Sequence, residues 1–422
     1  MLLPELKSIV GEGSWITNPD ELEPYLTEWR GKWLGKAAIL VSPSCTDEVS
    51  AIVKACVKAG STIVPQGGNT GLCGGAIPDQ TGQQVILSMT NMNVIRDVSP
   101  LNYSLIAEAG CTLLDVQEAA SNDERFFPLS LGAEGSCQIG GNISTNAGGV
   151  NVLNYGNARD QVLGLEVVLS DGSIWNGLHE LRKDNSGYDL KHFFIGAEGT
   201  LGIITAAALK LYPAPLSPET MVFALTGLDK SVKLLSLLRN VHADQIQAFE
   251  LIPNRAVDFV NRHIPAVNFP IKNNYSWYVL AEVNNCDNAV VFDKLISEIL
   301  SSGYVADAVI AKNQNERESI WHFRHSISEA QKLEGVSLKH DISVPVSSVI
   351  EFIESAEKAV IDFMPNIRPV PFGHVGDGNI HFNLSQPKDI SVSEFKRKEG
   401  VLSKIIYDIT HKFGGSFSAE HG

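Results

Sequence analysis

Apolar positions along the chain fall into two alternating spacings. Ala37 to Val41 and Ser61 to Pro65 are short runs with strand character, whereas Asp47 to Ala59 places Val49, Ile52, Val53, Cys56 and Val57 at the spacing of one helix face. A proline-rich stretch, Pro213-Ala214-Pro215-Leu216-Ser217-Pro218, interrupts the pattern and predicts a linker. Beyond it, strand-like Met221 to Leu225 and Tyr275 to Val283 are interspersed with helix-like Lys230 to Val241 and Ala289 to Ser301. Glu316 to Glu334 carries Ile320, Phe323, Ile327 and Ala330 on one stripe, an amphipathic helix with Arg324 and Ser328 one turn apart beside it. In Val336 to Val344, apolar positions and His340 alternate with Ser337, Lys339, Asp341 and Ser343, the pattern of a half-buried strand. The predicted fold class is α+β, in two domains divided near residue 213.

Length agrees, because 422 residues exceed what one hydrophobic core usually supports. The formal charge of −15 argues against nucleic acid and anionic membrane surfaces as partners. Cys45, Cys56, Cys73, Cys111, Cys137 and Cys286 show no CxxC pair, which predicts free thiols in a reducing compartment. Met1 to Trp15 carries Glu5 and Glu12 and lacks the basic cluster of a secretory signal or mitochondrial presequence. No apolar run reaches the roughly 20 residues of a membrane span. The expectation is a soluble cytoplasmic protein.

The strand at Ser61 to Pro65 leads into Gln66-Gly67-Gly68-Asn69-Thr70-Gly71-Leu72-Cys73-Gly74-Gly75. Glycine at this density serves neither a packed helix nor a strand, but it suits a loop whose backbone N–H groups turn inward onto phosphate. Alone, the loop reads equally well as a plain flexible connection, and it matches neither a Walker loop nor a GxGxxG unit. Two further clusters change that balance. Gly132, Gly135, Gly140, Gly141, Gly148 and Gly149 are threaded with Ser136, Asn142, Ser144, Thr145 and Asn146, and Gly196 to Ile204 precedes a strand-like run ending at Tyr212. Three such loops separated by strands predict one extended, polyphosphate-containing cofactor.

A lone histidine is more often a hydrogen-bonded core residue than a ligand. Here, however, Gly376-Asp377-Gly378 turns the chain between two extended runs, and Asn379, His381 and Asn383 alternate onto one face with His374 across the turn. With Glu420 from the terminal Ala419-Glu420-His421-Gly422, the two histidines make an open three-ligand set. Zinc is the first choice for it, with manganese and cobalt also suited.

Four motifs in order, Pro65 to Gly71, Ile139 to Gly149, Leu181-Arg182-Lys183-Asp184-Asn185-Ser186-Gly187-Tyr188-Asp189-Leu190 and Glu198 to Ile204, resemble the FAD domain of the vanillyl-alcohol-oxidase-type flavoproteins. The resemblance spans nearly the whole chain and is closest to the FAD-linked D-2-hydroxy-acid dehydrogenases, in particular their D-2-hydroxyglutarate branch. It implies a two-part FAD-binding domain over residues 1–213, an α+β, ferredoxin-like cap domain over 214–412, and a C-terminal return segment beginning at 413–422. Gly67, Gly68, Asn69, Thr70 and Gly71 would wrap the FAD pyrophosphate. Ser136, Gly140, Asn142, Thr145 and Asn146 would line the flavin and ribityl side, and Gly202 and Ile203 would complete the site. Pro65, Leu72, Gly132, Gly141 and Glu198 are assigned to the same cofactor. The first loop lacks the histidine that covalently flavinylated members use there, so the resemblance implies noncovalent FAD, with Cys137 as the alternative attachment point.

The resemblance also implies a mechanism. The metal lowers the pKa of the substrate hydroxyl, His421 takes the hydroxyl proton as general base, and the 2-hydrogen leaves as hydride to the flavin. Asn383 would hold the 1-carboxylate, and Arg324, Ser328 and Lys339 the distal carboxylate of a 2-hydroxy dicarboxylic acid. Ser328 stands where the family usually has threonine. Oxidation of D-lactate or glycolate, and flavin binding without turnover, are the alternatives. The implied partners are an electron acceptor, either an electron-transfer flavoprotein or a quinone-linked carrier, and, for assembly, a homodimer. Relatives continue for some tens of residues past their Glu-His-Gly, so a chain stopping at Gly422 is expected either to be a fragment or to complete its site differently.

Overall fold

The computed structural model describes residues 2–215, 218–242, 245–272, 274–284 and 289–421. Cys286, and Leu216 and Ser217 of the expected linker, lie outside the described residues. The chain divides into two compact units, one made of Met1–Gly149, Tyr155–Ala214 and Glu420–Gly422, the other of Val150–Asn154 and Pro215–Ala419.

The first unit contains two principal sheets. In one, Ile39–Val41 and Ile63–Gln66 both pair parallel with Val85–Ser88. Parallel strands need a crossover, and the Thr46–Ala59 helix is that crossover. Val49, Ile52, Val53 and Cys56 are buried as their spacing predicts, while Val57 is 58% exposed. Gly60 ends the helix at φ +67°, a left-handed position that favours glycine. The other sheet is antiparallel, in the order Ile95–Ser99, Ser104–Glu108, Gly202–Lys210, Val162–Leu169, Ile174–Gly177.

In the second unit, Ile246–Pro253, Trp277–Val283, Glu219–Leu225 and Val305–Ile310 form an antiparallel sheet in that order. By chain sequence this is 2-3-1-4, the ferredoxin-like arrangement. Its strands read as nearly unbroken apolar runs because both faces are covered. Met221 and Phe223 pack with Leu234, Leu238, Leu295 and Ile299 from two helices, while Val222 and Ala224 pack with Phe259, Phe323 and Ile327. A second sheet has Asn379–Ser385 paired with Arg368–Phe372, Ser337–Leu338 and Asp341–Ser343. Its Ile380, Phe382 and Leu384 lie in the same core as Phe352 and Ile406.

Two expectations are corrected. The second glycine cluster is not a continuous loop, because Ile139–Ser144 is helical. Gly140 is there for packing, since a Cβ at that position would stand 2.7 Å from the Cβ of Ala109. Val336 to Val344 is two short strands, with Lys339 and His340 between them.

Candidate functional site

Within the first unit the three glycine segments meet. A Cβ on Gly68 would lie 1.8 Å from the Ser136 carbonyl oxygen, so at that position the first loop can run against the start of the second only as glycine, and one on Gly67 would lie 3.3 Å from the Gln138 side chain, a tight contact. Asn69 sits at φ +52°, and its Nδ2 donates to the carbonyls of Pro24 and Thr27 at 3.2 and 3.0 Å. The amides of Gly196 and Glu198 donate to the carbonyls of Ile143 and Ser144 at 3.1 and 2.9 Å, so the third segment satisfies the end of the Ile139–Ser144 helix. Gly199, at φ +74°, brings the same segment against Pro65. Gly71, Gly132 and Gly141 face open space, with no atom within 4 Å of an added Cβ. Ile203 has its side chain in the hydrophobic core, which leaves its backbone for any ligand contact. Gly202 starts the strand beside Val167.

Three carboxamide oxygens around these loops, Gln66 Oε1, Gln138 Oε1 and Asn142 Oδ1, are buried without a hydrogen-bond partner. A buried acceptor left unpaired costs about 1–3 kcal/mol, so their clustering marks a place where donors are expected. Thr145 Oγ1 donates to the Gly141 carbonyl, and Asn146 Oδ1 accepts from the Arg159 amide at 3.0 Å. Cys137 is buried, and that burial pushes its thiol pKa up.

In the second unit a carboxylate organises the chemistry. Ile246–Pro253 is buried along its whole length, yet it includes Glu250. Glu250 accepts from Arg324 Nε at 2.7 Å and Nη2 at 2.6 Å, and pairs with His374 Nδ1. Burial alone would raise the Glu250 pKa, but Arg324 and His374 outweigh it and hold the carboxyl far below its ordinary value. A histidine oriented through Nδ1 by a carboxylate ligates through Nε2. His381 is the ring neighbour of His374, centroid to centroid 5.2 Å, and its Nδ1 lies 3.4 Å from Asp341 Oδ1. His381 and Asp341 thus offer an imidazole and a carboxylate close to one another, donor types that suit zinc or manganese, with His374 as the ring neighbour of His381. His340, in contrast, is a core histidine bonded to the Phe382 carbonyl and Ser403 Oγ, both at 2.9 Å.

The strip continues along the Asn379–Ser385 strand. Asn379 Nδ2 donates to Asp341 at 2.9 Å, and Asn383 Nδ2 donates to Gln331 Oε1 at 2.8 Å. The pairing register sets Asp341 opposite His381 and Leu338 opposite Leu384, so Lys339 stands across from Asn383. Arg324 is buried on Glu250, whereas Ser328, one turn later on the same helix, is exposed. The Ala419 amide donates to the Asp341 carbonyl at 3.2 Å. In the first unit, Glu420 Oε2 accepts from the Gly149 amide at 2.9 Å, and His421 Nε2 lies 3.8 Å from Glu420 Oε1.

Sequence reasoning missed Glu250, Gln331 and Asp341 as members of this strip. For Glu250 a signal existed: a lone carboxylate in the otherwise largely apolar run Ile246-Gln247-Ala248-Phe249-Glu250-Leu251-Ile252-Pro253 must have a charged partner.

Residues 37–177 match the FAD binding domain model, and residues 217–422 match that of the FAD linked oxidases, C-terminal domain. The chain is 39% identical over 422 residues to a probable mitochondrial D-2-hydroxyglutarate dehydrogenase of Oryza sativa subsp. indica, covering 99% of this chain and 73% of that protein. It is 37% identical over 420 residues to the mitochondrial D-2-hydroxyglutarate dehydrogenase of Arabidopsis thaliana, with the same coverage of 99% and 73%. Among solved structures, p-cresol methylhydroxylase with substrate bound superimposes with a TM-score of 0.78 at 17% identity, over 100% of this chain and 89% of that one.

The cytoplasmic expectation is overturned by these relatives, which are named mitochondrial. The argument from Met1 to Trp15 has no bearing on localisation, because Leu2–Val10 is a helix with Leu6 in the core and its composition answers to packing. No helix among the described residues is long and apolar enough to cross a membrane. The resemblance read from the glycine motifs holds, and the chain belongs to the FAD-linked oxidases, within them to the FAD-dependent D-2-hydroxy-acid dehydrogenases.

Proposed function

We propose that the protein oxidises D-2-hydroxyglutarate to 2-oxoglutarate, with residues 1–213 holding noncovalent FAD and 214–412 holding the substrate. The observation that carries this reading is the 39% identity across 99% of the chain to a protein named for that activity. The unpaired acceptors of Gln66, Gln138 and Asn142 fit FAD, whose imide N–H and ribityl hydroxyls are donors. A buried thiol with a raised pKa is a poor nucleophile, which supports noncovalent attachment.

When bound, the flavin supplies a hydride acceptor and a divalent metal, zinc in the first instance, supplies a Lewis acid. His374 and His381 are the proposed metal ligands in the second unit, with Asp341 beside them and Glu420 assigned through the family resemblance. Glu250 acts behind His374, fixing which ring nitrogen carries the proton. His421 accepts the proton of the substrate hydroxyl as general base. Asn383 holds the 1-carboxylate, while Lys339 neutralises the distal one and Arg324 and Ser328 help to hold it. An acceptor of the electron-transfer-flavoprotein kind would take the electrons.

An anaerobic titration of the purified holoprotein with a panel of D-2-hydroxy acids tests this directly. D-2-hydroxyglutarate is expected to bleach the flavin absorbance at lower concentration than D-lactate or glycolate, and 2-oxoglutarate should accumulate when a dye acceptor is added. A preference for D-lactate would remove the dicarboxylate assignment.

A further inference from the structure

Gln331 has no role in the activity described so far, yet its position is unusual. It is fully buried on the Gln314–Glu334 helix, seven residues after Arg324 and so on the same helix face. Its Oε1 accepts from Asn383 Nδ2 at 2.8 Å, and its Nε2 has no hydrogen-bond partner. Ser385, the next residue on the Asn383 face of its strand, is also buried and its Oγ is also unpaired. Two buried donors next to Asn383 and across the sheet from Lys339 are costly unless something accepts from them.

We propose that Gln331 is a specificity-determining residue whose carboxamide N–H donates to a carboxylate of a 2-hydroxy dicarboxylic acid, while its oxygen fixes the orientation of the Asn383 amide. This deepens the reading of the previous section and rests on it. The division of labour follows from amide chemistry. Asn383 Nδ2 has two hydrogens; one is committed to Gln331 Oε1, which turns the other, and the Asn383 oxygen, in a defined direction. Gln331 in turn retains a hydrogen-bond donor but no charge, so it can help bind an anion without adding a further cation beside Lys339 and Arg324. A monocarboxylic 2-hydroxy acid has no second carboxylate to accept from it. Ser385, two residues along the strand, extends the same donor row beyond the Lys339 position, which favours a substrate with its second carboxylate removed from the reacting carbon.

The test compares Gln331→Met, which keeps length and apolar volume, and Gln331→Glu, which replaces the donor with a repelling charge, in the holoprotein with its flavin and metal content verified. Steady-state kinetics are measured with D-2-hydroxyglutarate and D-lactate. For Gln331→Met, kcat/KM for D-2-hydroxyglutarate should fall about tenfold or more beyond the loss seen with D-lactate, the effect of one lost hydrogen bond to a charged group, while the loss with D-lactate reports the freed Asn383 amide alone. Gln331→Glu should lose more than Gln331→Met with the diacid and little with the monoacid. Equal losses for both acids, or unchanged kcat/KM for the diacid in both variants, would overturn the proposal. Failure of the underlying reading is recognised separately, because the wild-type protein would then not reduce its flavin with D-2-hydroxyglutarate at all.

Discussion

In the proposed function, Lys339 is the residue on which the choice between a diacid and a monoacid turns. A second carboxylate taken out of water requires charge-assisted hydrogen bonds worth roughly 1.5–3 kcal/mol each, and lactate has no group that reaches for them. Lys339→Ala is therefore expected to lower kcat/KM for D-2-hydroxyglutarate by about 10- to 150-fold at roughly 1.4 kcal/mol per decade, and that for D-lactate by only a few-fold. Equal losses would leave a 2-hydroxy-acid dehydrogenase of another specificity. Arg324 is a poorer discriminator, since its guanidinium is already committed to Glu250. Glu250 instead governs integrity: Glu250→Gln leaves Arg324 buried opposite a neutral group, and breaking such a pair costs about 3–5 kcal/mol. A urea midpoint close to that of the wild type would show that the pair contributes little.

At the scale of single elements, two local devices can be tested apart from the chemistry. The Ile139–Ser144 helix lies against Ala109 so closely that Gly140→Ala would force a methyl to within 2.7 Å of another. Overpacking of this kind costs about 1–3 kcal/mol, and the displaced helix should also lower FAD content on purification. The Gln314–Glu334 helix ends on Glu334, which gathers Arg262 and His263, each at 2.7 Å, together with Arg368. Burial alone would raise the Glu334 pKa, but these three partners hold it at about 2 against an ordinary 4.5. Because the folded value is the lower one, the stabilisation is fully present above about pH 4.5 and is lost as pH falls toward 2. Glu334→Gln should thus narrow its stability gap to the wild type between pH 6 and pH 3, as read from thermal midpoints. A gap that does not change with pH would mean the ion pairs are not the source.

These elements also show where sequence reading succeeds. Thr46–Ala59, Lys230–His242 and Ala289–Ser301 were legible because one apolar face at helical spacing leaves few alternatives. The Ile139–Ser144 helix was not, because glycine in the sequence signals a loop, and only the approach of Ala109 explains Gly140 in a helix. Likewise His374 and His381 could be chosen from their turn, whereas Glu250, Asp341 and Gln331 reach the same strip from separate elements. A pairing over 124 residues, such as Glu250 with His374, leaves no local trace.

At the scale of the whole molecule, the two proposed cofactor sets draw mostly on different parts of the chain. Every glycine segment assigned to the flavin lies in the first unit and His374, His381 and Asp341 lie in the second, while Glu420 belongs to the first, where it accepts from the Gly149 amide. The flavin should therefore survive removal of the metal. Dialysis against a strong chelator is expected to abolish turnover while the flavin absorbance spectrum stays nearly unchanged, and activity should return with zinc, manganese or cobalt in an order that identifies the native ion. His374→Ala and His381→Ala should reproduce the chelated state, yellow and inactive, and should not respond to added metal. Acid or heat denaturation of any of these forms should then release FAD into the supernatant, as expected for noncovalent binding. Flavin that stays with the precipitate would reveal a covalent link. Full activity after chelation, with no stoichiometric metal by elemental analysis, would assign the two histidines a structural role and leave Glu250 as the partner of a buried charge alone.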